Sequence, residues 1–140
     1  DEVMATPLIW SWPSRVPVEA MRPELVSSYD LVPSLCELTG AALPAGRTLP
    51  GRSYLPAVFN EPFPKKNRWR NTVFGEYRDI AMVRDQRYKL VLRNGGKGPN
   101  ELYAVRADPR EKMNQYDNPS FITVRDQLAA ELAAWRKASA

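Results

Sequence analysis

The side chains able to do chemistry are few, and one type is missing: none of the 140 residues is a histidine. That excludes from this chain any mechanism resting on an imidazole base, an imidazole metal ligand or a Ser/His/Asp triad. The single cysteine, Cys36, can form no internal disulfide and cannot build a zinc site without other soft ligands. It lies at helical spacing among Leu35 and Leu38, so it reads as a small buried apolar residue rather than a reactive thiol. Glu76 and Asp79 are close in sequence, but paired carboxylates act as acid and base only when they converge in a cleft; a strand-end salt bridge is expected instead. The densest basic run, Lys65-Lys66-Asn67-Arg68-Trp69-Arg70, interleaves an aromatic with cations as single-strand nucleic-acid surfaces do. No nucleic-acid motif accompanies it. A solvated loop before a strand is expected, with a polyanion contact as the alternative.

The elements that position these residues fall into two kinds. The composition, 44% hydrophobic with four Trp, suits a chain that buries a core, and the length is that of about one domain. Ten of thirteen prolines lie in residues 1–64, which carry four basic and seven acidic residues, whereas residues 65–140 carry sixteen and nine. A boundary at 64/65 is therefore expected, with a second half able to attract anions. The N-terminus shows no signal-peptide pattern, and no apolar run is long enough to span a bilayer. In the first half, Thr6-Pro7-Leu8-Ile9-Trp10-Ser11-Trp12-Pro13 reads as one buried strand and Ser14 to Glu19 as a turn and extended linker. A helix is predicted over Leu31–Thr39, with Asp30 as N-cap, Pro33 in the first turn, Leu31, Leu35 and Leu38 on the packed face and Gly40 at C′. Residues 41–64 are rich in Pro and Gly, with one helical turn between Tyr54 and Phe59.

From Asn71 onward the pattern is that of strands: Thr72–Tyr77, Ile80–Arg84, Tyr88–Arg93 and Glu101–Val105, joined by tight connections that imply an antiparallel meander. In the third, Tyr88, Leu90 and Leu92 share one face and Lys89, Val91 and Arg93 the other, as in a sheet covered on one side only. The cover is a helix capped by Asn118 and opened by Pro119, with Phe121, Val124, Leu128, Leu132 and Trp135 on its apolar face. The predicted class is α+β: a four-stranded antiparallel sheet under a C-terminal amphipathic helix, preceded by a strand and a helix that read as pieces of a larger domain.

The order of these motifs resembles the C-terminal part of the sulfatase family, in the alkaline-phosphatase-like superfamily, over essentially the whole chain. The resemblance rests on Thr6-Pro7-Leu8-Ile9 with Trp12-Pro13, on Ser28-Tyr29-Asp30-Leu31-Val32-Pro33-Ser34-Leu35 ending in Leu38-Thr39-Gly40, and on Leu49-Pro50-Gly51-Arg52-Ser53. It continues through Val73-Phe74-Gly75-Glu76-Tyr77, Met82-Val83-Arg84, Arg87-Tyr88-Lys89-Leu90, Glu101-Leu102-Tyr103 and Ala107-Asp108-Pro109-Arg110-Glu111. It implies that the strand and helix of residues 1–64 belong to a large alkaline-phosphatase-like α/β domain. It also implies a parent enzyme that cleaves sulfate esters with a formylglycine and a divalent cation, usually calcium. Both are held by an N-terminal portion that precedes Asp1 in the family's order, with Asp1-Glu2 matching an acidic pair just beyond the last expected catalytic residue. No catalytic residue, metal ligand or cofactor is then expected in this chain. Asp108 is expected to cap the turn after the last strand rather than to bind metal.

Ser11-Trp12-Pro13-Ser14-Arg15 itself matches the S-x-P-S-R pattern of the family's nucleophile. A nucleophile there needs a helix N-terminus behind it and metal ligands close by, and Val16-Pro17-Val18 is a poor first turn of a helix. The stretch is expected to be a strand end. C-terminal subdomains of the family border the active-site mouth, which makes Tyr77 and Arg78 the candidate substrate-proximal residues. The expected partners are the N-terminal catalytic portion of the same protein and its sulfated substrate, with neither nucleic acid nor membrane. Alternatives are an anionic-glycan-binding module acting through Lys65, Lys66, Arg68 and Arg70, and the C-terminal part of a related phosphoesterase or phosphonate hydrolase. Leu8, Ile9, Trp10, Trp12 and the Leu31/Leu35/Leu38 face lack strands and helices to cover them within this chain, so homo-oligomerisation or exchange of the N-terminal arm is expected.

Overall fold

The computed structural model describes residues 6–46 and 49–139; Asp1-Glu2 lie outside them. The chain divides into two compact units at the Arg70–Asn71 peptide. In the first, α1 (Leu31–Thr39) follows a short 3-10 turn, and α2 (Leu55–Phe59) follows the Pro/Gly-rich crossing. Its core gathers Tyr54, Leu55, Val58 and Trp69, with Trp10, Val16, Val26, Leu38, Phe59 and Phe63 packed against them. Trp69 stacks on Phe63 with ring centroids 4.9 Å apart, and its indole N–H donates to the Leu25 carbonyl at 3.1 Å. Gly40 ends α1 at φ 74°, the left-handed C′ geometry that the sequence predicts.

Two expectations for this unit are corrected. Residues 6–12 form no strand: no sheet includes them, and a strand exists only by pairing with another. The apolar face of α1 is also turned around. Pro33 and Ser34 are its buried residues and Leu38 packs on the core, whereas Leu31, Val32 and Leu35 are exposed at 41%, 45% and 42%. The inward position of a serine has a cause in hydrogen bonding, given below.

The second unit is an antiparallel meander of β1 (Val73–Tyr77), β2 (Ile80–Arg84), β3 (Lys89–Arg93) and β4 (Glu101–Tyr103), with α3 (Ile122–Ser139) against β2 and β3. The register pairs Phe74 with Val83, Val83 with Leu90 and Leu90 with Leu102, so one face presents a continuous apolar row. Leu128 and Leu132 of α3 close over Ala81, Val83, Leu90 and Leu102. Trp135 stacks on Phe74 at 5.0 Å, and Phe121 meets Tyr88 edge-on. Asn118 caps the helical segment as predicted, accepting a hydrogen bond from the Ser120 N–H at 3.0 Å, a contact worth about 1 kcal/mol.

The free edge of β4 is closed by a side chain in the role of a strand. Asn114 accepts from the Leu102 N–H and donates to the Asn100 carbonyl, and the Gln115 N–H donates to the Leu102 carbonyl at 2.7 Å. The sheet is not covered on one side only. Met82 and Val91, register partners on the second face, are buried, and Lys89 beside them is 5% exposed. Lys89 tolerates this because its ammonium pairs with Glu111 and lies 5.5 Å from the Tyr103 ring.

Candidate functional site

The densest polar constellation of the first unit centres on Asp30, which is wholly buried. It does not cap α1. One carboxylate oxygen accepts from the Ser27 N–H at 2.8 Å and from the Arg70 guanidinium, and the other accepts from the Arg52 N–H at 3.1 Å. Arg70 in turn lies 4.9 Å from the centroids of both the Tyr29 and the Trp69 rings. Burial pushes its guanidinium below the usual value. One turn along α1, Ser34 donates to the Asp30 carbonyl at 2.8 Å and accepts from the Tyr54 N–H at 3.0 Å. That pair of bonds is why a serine occupies the inward face of α1: it joins α1 to the residue that opens α2. The constellation therefore ties three chain segments together, residues 27–34, 52–54 and 69–70, and has the chemistry of a structural clasp.

Tyr77 and Arg78 stand together at the β1–β2 turn. Tyr77 is 67% exposed, Arg78 adopts φ 56° in the left-handed region, and its guanidinium lies 5.2 Å from the Tyr77 ring centroid. Neighbouring Glu76 forms a salt bridge with Arg136 of α3, the strand-end pair expected of it. Asp108 caps its turn, its carboxylate accepting from the Met113 N–H at 2.9 Å and its carbonyl from the Glu111 N–H. Cys36 is half-buried, its thiol 3.8 Å from the Ala42 carbonyl.

The Lys65–Arg70 run divides. Lys65 and Lys66 are exposed, but Trp69 belongs to the core and Arg70 to the Asp30 clasp, so no aromatic remains outside for bases to stack on. Ser11-Trp12-Pro13-Ser14-Arg15 is a turn, in which the Trp12 carbonyl accepts from the N–H groups of Arg15 and Val16, and no helix starts behind it. Among the described residues no three His, Cys, Asp or Glu side chains converge to hold a metal ion. These donors do not fit the divalent cation that the resemblance implies. No described helix is long and apolar enough to cross a membrane.

Residues 1–138 match the family model of N-sulphoglucosamine sulphohydrolase, C-terminal. The chain is 31% identical over 130 residues to the delta 4,5-hexuronate-2-O-sulfatase of Bacteroides thetaiotaomicron, covering 86% of this chain and 26% of that protein. It is 22% identical over 171 residues to the ulvan-active sulfatase of Formosa agariphila, covering 99% of this chain and 34% of that one. It thus spans about a third or less of these relatives' length. Among solved structures, the phosphonate monoester hydrolase of Agrobacterium radiobacter superposes with a TM-score of 0.64 at 26% identity, over 79% of this chain and 25% of that one. A structure in complex with D-glucosamine-2-N,6-O-disulfate gives 0.62 at 24% identity over 77% and 23%, a likeness of fold alone. With the family model running along nearly the whole sequence, the chain belongs to the N-sulphoglucosamine sulphohydrolase C-terminal family.

Proposed function

We propose that this region acts structurally: it completes the large α/β domain of a sulfuric ester hydrolase and shapes the approach of the substrate, without catalysing hydrolysis by itself. The observation that carries this reading is the outward apolar face of α1. A helix that spends its inward face on Ser34 and leaves Leu31, Val32 and Leu35 outside is built to be covered on that side. The N-terminal portion of the same protein is the proposed cover, and in the isolated chain a second copy takes its place. The nucleophile, as formylglycine, and the divalent cation are assigned to that upstream portion.

Purified chain incubated with 4-nitrophenyl sulfate is expected to release no nitrophenol, whereas the chain expressed joined to its own upstream sequence is expected to do so. Turnover by the chain alone, abolished in Ser11→Ala, would sink the reading. The likeness to a phosphonate monoester hydrolase supports a second reading, in which the parent cleaves phosphonate monoesters; the same assay with a nitrophenyl phosphonate decides it.

Within this reading Tyr77 and Arg78 border the substrate opening, an exposed ring and guanidinium on a fixed two-residue turn. In the joined protein, Tyr77→Ala and Arg78→Ala are expected to raise KM several-fold with kcat unchanged. A fall in kcat at constant KM would argue against a positioning role at the mouth.

A further inference from the structure

The second unit carries a cleft of about 440 Å³ lined by Arg87, Tyr88, Ala104, Arg106 and Ala107. It lies between the β2–β3 turn and the turn after β4, and its two walls are fastened to each other and to the core. The Arg106 N–H donates to the Arg87 carbonyl, the Asp85 N–H to the Tyr88 carbonyl, and the N–H groups of Ala107 and Asp108 to the Ala104 carbonyl at 2.9 and 2.8 Å. Tyr88 is seated on the core against Phe121. Arg87 is held in turn on Tyr88, its guanidinium 5.2 Å from the ring centroid and one N–H on the phenol oxygen at 3.3 Å.

The carboxylates of the two flanking turns accept from backbone N–H groups, Asp85 doing so on the cleft's own wall. Asp85 accepts from the Arg87 and Tyr88 N–H groups at 2.6 Å, and Asp108 accepts from the Met113 N–H. Among the described residues neither Arg87 nor Arg106 is paired with a carboxylate, in a unit whose other basic side chains include four in ion pairs. Ala104 and Ala107 complete the lining. A guanidinium held on Tyr88 with unused N–H donors, in a cleft that Arg106 also lines, suits a planar or tetrahedral oxyanion. The volume falls in the range of small-ligand sites and admits one sugar ring.

We propose that this cleft is an anion subsite that binds a sulfate or carboxylate group of the substrate. The oxyanion preference stands on the cleft alone; that the group belongs to the substrate rests on the proposed function. The test is equilibrium binding of the 140-residue chain to a heparin-derived tetrasaccharide and, separately, to an oligogalacturonate of the same length. Arg87→Ala/Arg106→Ala is expected to weaken binding at least tenfold with an unchanged melting curve, and Arg106→Ala alone, at an exposed position, to weaken it in part. Lys65→Ala/Lys66→Ala is expected to stay within twofold. Tighter binding of the heparin fragment assigns the sulfate ester, and tighter binding of the galacturonate assigns the carboxylate. Absence of binding by the unaltered chain, wild-type affinity in the double variant, or loss confined to Lys65→Ala/Lys66→Ala would each overturn the proposal. Failure of the joined protein to hydrolyse sulfate esters would overturn the proposed function and leave this binding result standing.

Discussion

Asp30→Ala is expected to destabilise the first unit by about 3–5 kcal/mol, the range for removing one partner of a buried ion pair. The carboxylate is wholly buried and serves the Ser27 N–H, the Arg52 N–H and the Arg70 guanidinium together. Its loss leaves two amides without an acceptor and a cation, 12% exposed at its side chain, without a counter-charge. The Arg70 Nε already lacks a hydrogen-bond partner, so the Tyr29 and Trp69 rings are the named contacts left to the guanidinium. Against a total of about 5–15 kcal/mol for an ordinary domain, that loss is a large fraction. Urea unfolding followed by fluorescence reads it, because Trp69 sits against Arg70 and Trp135 reports on the second unit. Combining Asp30→Ala with Arg70→Met, which removes the orphaned charge, is expected to recover part of the loss. A cost below 1 kcal/mol for Asp30→Ala would mean that water replaces the carboxylate and that the clasp contributes little.

That clasp marks the limit of what was readable from residue order. The second unit was legible because its determinants are local: two-residue turns set β1 against β2, the three-and-four spacing from Phe121 to Trp135 sets the face of α3, and Asn118 followed by Pro119 marks its start. Asp30 and Arg70 are forty residues apart, and no periodicity announces that they meet. The same long-range contact explains the reversed face of α1. Leucines at i, i+4 and i+7 predict the buried side only when burial is the main demand on the helix, and here Ser34 must reach the Asp30 carbonyl and the Tyr54 amide. Residues 6–12 failed as a strand for a related reason, since alternation and apolarity describe a segment while a strand belongs to a pair.

Among the candidate side chains, Tyr77 and Arg78 lie at the β1–β2 turn that the hairpin pattern predicts, whereas their candidacy as substrate-proximal residues comes from the resemblance and not from residue order. Trp69 was the hardest to read. An aromatic among four cations looks like a nucleic-acid platform, yet its neighbours Arg52 and Arg70 cover the ring as cation–π partners while Phe63 takes the stacking position. The Arg87 and Arg106 cleft leaves no mark in residue order either, because two entire strands, β3 and β4, separate its walls; the polarity of Lys89 likewise hides its burial, which only the contact with Glu111 explains.

Gly51→Ala is expected to be as damaging as the loss of Asp30, by a different route. Gly51 lies outside the left-handed region, so the demand at this position is for space rather than for backbone freedom. A Cβ there would fall well inside van der Waals contact with the Tyr29 carbonyl oxygen and 2.9 Å from the Asp30 nitrogen. Both are backbone atoms that cannot rotate away, so the crossing segment must move as a whole. The next residue, Arg52, supplies the N–H that meets Asp30, and a shift of the segment breaks that bond as well. A cost of about 3 kcal/mol or more is expected from this overpacking and the lost contact. Gly40→Ala is the control: its φ of 74° disfavours any other residue, but nothing lies within 4 Å of an added Cβ, so only the left-handed strain of about 1–2 kcal/mol applies. Equal midpoints for the two variants in urea would refute the close-approach argument. Because Gly51 and Asp30 act through one network, the double variant should cost clearly less than the sum of the two single losses.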